Sequence, residues 1–527
     1  MAAAAIDPDA PHPDDAVKPR RRRSILANTT MNGIAQFASL ISTLVFFPLL
    51  VSAFGVAEYG VYVIAMTVTG IAVMFDLGIG ASTVRLVARR VELDDSEGFA
   101  HVVATSTLLL GGLGVLVAAV IAALAIASGT LFNVTAEQAA LLRTLLLIGA
   151  AMQLWFWPTS VATQVLQGLE RYDLVARTSL GTTLGGLAAI GVVLVLHEGP
   201  VLLMILGAVI MVLASIANMV ALWTVRPSGT IAVLPKRHVA QEIVLGGIPI
   251  FAVGFTQFIN REQTDRLVVA VILGPTAVAI YEVAAKLSML VTQVIGLPIS
   301  AILPVASRMA AKHDDSGLRN LFLRGSRYIT LAVLPIIVAL IVLAGPFIRS
   351  WFGPGFETSV ALARLLVLAQ VFVPLYLIGD LVLMGKGRIA LWVPPGLALA
   401  LLNLILSVVF IRAFGLVGVA FGTVISGFLE LPIYAWLILP EIGASVGQWL
   451  KMAGAGYLLI PVVAVVAALM AMTPLSSSMI GVAVCAAVAV GLYWLCAYFF
   501  VLSADERRQL WERIRRSSPR PQGGDVR

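Results

Sequence analysis

Residues 43–90 read TLVFFPLLVSAFGVAEYGVYVIAMTVTGIAVMFDLGIGASTVRLVARR, and this stretch decides the fold. Two apolar runs flank a short turn at residues 54–59, and the second run ends in arginines. A run of about 20 apolar residues matches the ~30 Å hydrocarbon layer of a bilayer, so each half predicts a membrane-crossing helix and the whole predicts a hairpin in lipid. The turn holds one charge, Glu58, whereas the far end holds Arg85, Arg89 and Arg90. Lys and Arg favour the cytoplasmic side, which makes the turn external and the arginines cytoplasmic.

The hairpin recurs. The offset that carries Gly55 onto Gly274, 219 positions, also carries Tyr62 onto Tyr281, Ala65 onto Ala284 and Arg89 onto Arg308, pairing FGVAEYGVYVIA with LGPTAVAIYEVA. Turn, external side and basic cytoplasmic segment repeat together, which predicts an internal duplication. Two like halves facing one another form a transporter architecture with a binding site at their interface.

Composition agrees: 60% of the 527 residues are hydrophobic and 12% charged, with a mean hydropathy of +0.98. Soluble domains carry about 25% charged residues, so the chain reads as an all-α polytopic membrane protein. The net charge of +7 follows from Lys and Arg in short loops and tails, so nucleic acid is not the expected partner. Cys485 and Cys496 share one apolar span, and the five histidines are scattered. Neither a metal nor a cofactor is implied.

Residues 1–24 predict a disordered, basic cytoplasmic tail. The apolar span after it is too long for a signal peptide, which predicts an uncleaved first helix. Apolar spans then give about fourteen helices, placed at 26–54, 60–84, 99–127, 139–166, 172–196, 200–223, 243–273, 276–303, 326–346, 358–384, 389–411, 416–439, 449–471 and 477–502. Basic residues cluster in alternate loops, as expected if both termini are cytoplasmic and the count is even. The predicted organisation is an N-lobe of six helices over 25–225, a cytoplasmic linker over 226–242, a C-lobe of six over 243–440, a helix pair over 441–502, and an amphipathic basic tail over 503–527. Ser503 with Glu506 fits a capping box for that tail, whose stripe is Leu510, Trp511 and Ile514. No phosphate loop is present: GDLVLMGKGR at 379–388 has the wrong spacing and no Ser or Thr after its lysine.

Charges inside a span are expensive and need a reason. The densest set is NREQTDR at 260–266, with Glu282 and Lys286 in the following span. Asp265 lies roughly 13 Å below the Gly274 turn at 1.5 Å per residue, near mid-depth if the helix is continuous. Arg261 with Asp265, Glu262 with Arg266, and Glu282 with Lys286 are i,i+4 pairs. The patch reads as a self-cancelling network between helices, as Arg261, Arg266 and Lys286 lining a wet cavity for an anionic head group with the acids setting their position, or as an external loop. Asn28, Asn32, Gln36 and Ser39 stripe one face of the first helix, either as polar glue or as the facing wall of that cavity. Asp76, in FDLGIG, is either a coupling-ion group or a cap. Trp155, Phe156 and Trp157 either stack on sugar rings or pack within the protein, and deep Glu430 has no evident partner.

These residues resemble a known family. PLLVSAFGVAEYGVYVIAMTVTGIAVMFDLGIGASTVRLVARR is similar to the opening hairpin of the polysaccharide transporter family, the Wzx-type flippases of the multidrug, oligosaccharidyl-lipid and polysaccharide (MOP) exporter superfamily. VLQGLERYDLVARTSL, DRLVVAVILGPTAVAIYEVAAKL, LPISAILPVASRMAAKHDD and GLVGVAFGTVISGFLELPIYAW resemble later segments in the same order, so the likeness covers residues 28–440. The resemblance implies a V of two pseudo-symmetric six-helix lobes, a further C-terminal helix pair and alternating access. It also implies a bacterial cytoplasmic membrane and a substrate of undecaprenyl-pyrophosphate-linked oligosaccharide, with a glycan polymerase and glycosyltransferases of the same pathway as partners besides the membrane lipids. The matching candidates to receive the pyrophosphate are Arg261, Arg266 and Lys286. Lipid II flippases resemble this layout but carry basic residues within the first hairpin, and residues 24–77 hold none. A multidrug cation antiporter of the same superfamily is the alternative within transport. A glycan polymerase or ligase would need a large external loop, which the spacing of the spans does not leave.

Overall fold

The computed structural model describes residues 20–72, 75–227, 233–259, 263–296 and 299–508, with side chains described for all of these except 20–43, 249–250, 252–259, 263 and 299–301. The described elements are helices, as hydrocarbon demands of a backbone that must satisfy its own hydrogen bonds. In chain order they include α1 (Arg20–Ala72), α2 (Ile79–Glu92), α3 (Ser96–Ile126), α4 (Ala136–Gly168), α5 (Tyr172–Leu196), α6 (Pro200–Val225), α7 (Arg237–Ile259), α8 (Gln263–Ile272), α9 (Pro275–Gly296), α10 (Ile299–Ala311), α11 (Asp315–Phe352), α12 (Glu357–Leu368), α13 (Val373–Gly385), α14 (Val393–Phe414), α15 (Leu416–Leu437), α16 (Val446–Ala453), α17 (Ile460–Ala471) and α18 (Met479–Cys496). Among the described residues, 11 helices are long and apolar enough to cross a membrane, or 12 if α12 and α13, bent by 48°, form one span. The two further expected spans fall on the first part of α1 and on α7 with α8, which makes about fourteen plausible.

Several expected spans are broken by identifiable chemistry. Residues 26–54 and 60–84 share α1, kinked at Gly55 (φ 78°, ψ 157°), a conformation that only glycine adopts cheaply. Helix then ends at Ala72 and restarts at Ile79. At that break, Gly78 N–H donates to Asp76 Oδ1 (2.8 Å) and Gly80 N–H to Oδ2 (3.3 Å), so Asp76 does cap the new helix. The span expected at 276–303 is likewise two helices, α9 and α10, and the one at 243–273 is α7 and α8. Caps recur elsewhere: Asp314 Oδ1 accepts from Gly317 N–H (2.8 Å) before α11, and Ser503 and Glu506 form the expected capping box. Leu510, Trp511 and Ile514 lie outside the described residues.

The duplication is visible in helix boundaries. At the offset that joins Gly55 to Gly274 (φ 87°), α2 falls on α10, α3 on α11, α4 on the bent α12 and α13, α5 on α14, and α6 on α15, their starts agreeing to within three residues.

Packing divides the chain differently from the repeat. One compact unit comprises Met1–Ala53, Asp76–Val120 and Leu147–Gly247, and the other comprises Phe54–Phe75, Ile121–Leu146 and Ile248–Arg527. In the first, ion pairs tie Lys236 and Glu242 to α2 and α3: Arg90 meets Glu242 (3.5 Å), and Lys236 meets Glu97 (3.3 Å). In the second, the turn ends of first-half helices pack on the α8–α9 hairpin. Asn133 Nδ2 donates to the Ile272 carbonyl (3.2 Å), and Gly60 packs so closely that a Cβ there would run into the Pro275 carbonyl.

Candidate functional site

The charged patch is built on the α8–α9 hairpin, within the second unit. Arg266 and Glu282 stand at equal distances from Gly274 along the two arms, about 12 Å at 1.5 Å per residue, which brings them face to face. Arg266 Nε donates to Glu282 Oε2 at 2.6 Å, and Lys286 Nζ approaches Glu282 Oε1 at 2.9 Å. Glu282 is therefore shared by two cations, and the triad carries one net positive charge. The side chains of Glu282 and Arg266 are largely enclosed, whereas that of Lys286 is 22% exposed and keeps its ammonium within reach of a ligand. Taking these groups out of water costs several kcal/mol each, offset only by close mutual pairing.

Asp265 belongs to a different cluster. It is buried, and three hydroxyls donate to it: Tyr281 Oη to Oδ2 (3.2 Å), Ser407 Oγ to Oδ1 (3.0 Å) and Thr423 Oγ1 to Oδ2 (2.8 Å). Ser407 Oγ also lies 3.3 Å from the Val419 carbonyl, and Asn403 Nδ2 donates to Thr423 Oγ1 (3.2 Å). A carboxylate ringed by hard oxygen atoms has the ligand chemistry of a proton or a small cation rather than of a transition metal. No group of three or more His, Cys, Asp or Glu able to hold a metal occurs among the described residues.

Of the residues singled out from sequence, Arg266, Glu282 and Lys286 come together, and Asp265 sits beside them on separate partners. The i,i+4 pair Glu282–Lys286 forms as expected. Arg266, matched by spacing to Glu262, reaches Glu282 across the hairpin, and its expected partner Glu262 lies outside the described residues. Arg261 and Glu262 lie outside the described residues, as do the side chains of Asn32 and Gln36. Asp76 lies in the other unit.

Sequence reasoning missed the hydroxyl shell. Tyr281 stands out only as a repeat identity, while Ser407 and Thr423 are among the few polar residues of apolar helices, Ser407 one helical turn after Asn403. Such hydroxyls were the available signal, but nothing in the sequence ties them to Asp265. Glu430 also has a partner: Tyr376 Oη donates to its Oε2 at 2.8 Å.

This arrangement, a repeated helical scaffold with 11 helices long and apolar enough to cross a membrane among the described residues and with charges buried between helices, is that of a multi-pass membrane protein. Solved structures agree in fold. The chain superposes on lipid II flippase MurJ in an inward closed conformation with a TM-score of 0.67 at 16% identity, covering 89% of this chain and 99% of that one. It superposes on an inward-facing MATE multidrug resistance transporter of the MOP superfamily with a TM-score of 0.63 at 18% identity, covering 78% and 94%.

Residues 25–310, over half the chain, match the polysaccharide biosynthesis protein family, to which this chain belongs. It is similar to the teichuronic acid biosynthesis protein TuaB of Bacillus subtilis (23% identical, covering 37% of this chain and 38% of the relative). It is also similar to the amylovoran biosynthesis protein AmsL of Erwinia amylovora (27%, covering 25% and 34%). The matched segments thus span a third or slightly more of each relative's length.

Proposed function

We propose that the chain carries a polyprenyl-pyrophosphate-linked oligosaccharide, the repeat unit of a surface polysaccharide, from the cytoplasmic to the external leaflet of a bacterial cytoplasmic membrane. In this reading both termini are cytoplasmic, and the partners are the glycosyltransferases that build the unit and the polymerase that consumes it. The observation that carries it is the buried Glu282 carboxylate shared by Arg266 and Lys286, in a chain of this family.

Arg266 and Lys286 converge on one carboxylate, and a pyrophosphate offers further acceptors to cations so gathered. Arg266 and Lys286, joined by Arg261, receive the pyrophosphate, while Glu282 and Glu262 hold the cations in place and Asp265 sits beside them on its own hydroxyl partners. Asn32 and Gln36 offer amides to the sugar. Asp76 acts as a cap at the α2 start.

Leaflet translocation of a labelled lipid-linked sugar in proteoliposomes tests the reading. Wild-type protein should move the label, and the double variant Arg266→Ala, Lys286→Ala should lose most of the rate. Wild-type rates from that variant would remove the site, and drug efflux without sugar-lipid movement would favour the multidrug antiporter.

A further inference from the structure

In the first unit, α4 and α6 are joined by Thr159 to Ser215 (3.3 Å) and by Asn218 to Thr163 (3.0 Å). Beside these bonds the helices part around a cavity of about 600 Å³ lined by Trp155, Ile216, Met219, Val220, Trp223 and Thr224. That volume lies in the range of about 300–1,000 Å³ found for sites that hold an organic ligand. Both indoles are open, Trp155 at 38% and Trp223 at 68% exposure.

The aromatic cluster of α4 therefore splits. Trp157 is buried, with its ring edge-on to Phe156, whereas Trp155 turns into the groove. Along the helix axis Trp155 stands about 20 Å from the Gly168 end, at 1.5 Å per residue.

At the other end, Trp223 lies in the last turn of α6, and Arg226 sets its guanidinium 4.3 Å from that ring's centroid. The groove is thus a long apolar slot with one cation at its mouth. This is the complement of an amphiphile with an anionic head and a long chain. Flat indole faces and the adaptable Met219 thioether suit methyl-branched, unsaturated isoprene units, and a guanidinium pairs with phosphate through charge-assisted hydrogen bonds.

We propose that the α4–α6 groove docks the hydrocarbon chain of a polyprenyl phosphate, with Arg226 holding the phosphate at its mouth. The proposal rests on the lipid-linked substrate reading above and gives the carrier's chain its own site, separate from the Arg266, Glu282 and Lys286 triad.

Photolabelling of the full-length protein in nanodiscs with a diazirine-bearing polyprenyl phosphate, followed by peptide mapping, tests it. Label is expected on residues 216–224. Trp155→Ala with Trp223→Ala should lower it by about fivefold, the effect of roughly 1 kcal/mol, and Val220→Trp, which fills the slot without removing an indole, should lower it equally. Arg226→Gln should weaken labelling by the phosphate but not by the free polyprenol. Equal labelling by a diazirine phospholipid, or displacement of the probe by ordinary phospholipid, would identify a groove for bulk lipid and overturn the proposal. Sugar-lipid translocation measured in parallel separates the two claims. Intact transport with an unlabelled groove sinks the groove alone, and a labelled groove in a wild-type protein that moves no sugar-lipid sinks the function alone.

Discussion

Asp265 and Glu282 stand on facing arms of one hairpin, 2% and 5% exposed, yet they are satisfied by opposite means. Asp265 accepts from three neutral hydroxyls, which spread its charge without cancelling it. Glu282 sits between two cations, Arg266 and Lys286. A short segment therefore holds one carboxylate solvated by hydroxyls and one paired with cations. Burial alone says little about what a charged group does in a membrane, and the sign left over after its neighbours are counted says more.

The sharpest test of that contrast is Glu282→Ala. It strands two cations, so unfolding in detergent should show a loss of about 3–5 kcal/mol, the cost of breaking a buried pair. Replacing Arg266 and Lys286 by Met in the same variant should recover most of it, and no recovery would mean that Glu282 acts through something other than the cations. Asp265→Ala leaves hydroxyl donors that can turn to other acceptors, so its expected cost is smaller, about 1–3 kcal/mol. If Asp265→Ala proved the more damaging, the comparison would be inverted. Lys286→Met removes the more accessible cation, and about tenfold slower translocation is expected, equivalent to ~1.4 kcal/mol on the barrier. Initial rates in proteoliposomes would check this, and an unchanged rate would leave Arg266 to act without it.

The smallest effect lies outside the membrane. Asp95 caps α3: the Gly98 N–H (2.7 Å) foremost, and the Arg90 guanidinium, hold its carboxyl below the usual carboxylate range. A lowered folded-state value means the cap stabilises above the unfolded value of about 4 and fades as pH falls through the folded one. Asp95→Ala should therefore cost about 1 kcal/mol near neutral pH. Its difference from wild type should shrink under acid, as unfolding followed at several pH values would reveal.

The fold was readable in the sequence because lipid imposes simple rules. Apolar length marks a span, and the basic loops alternate. The pairing of Gly55 with Gly274 located both hairpins, and each of these glycines has a positive φ. Within the site, Glu282 with Lys286 was readable because helical spacing places them together. The Arg266 partner was not, since it depends on the hairpin closing. Nor were Ser407 and Thr423, which reach Asp265 from α14 and α15 over long stretches of chain. The break after Ala72 carries a signal in Asp76 and Gly78, whereas the one after Leu368 has only Gln370 to mark it.

The contact of Gly60 with the Pro275 carbonyl has a mechanical consequence. Bare main chain meets bare main chain there, so this seam has no side chain that could turn aside. Even one added methyl would act as a wedge and force the two segments apart.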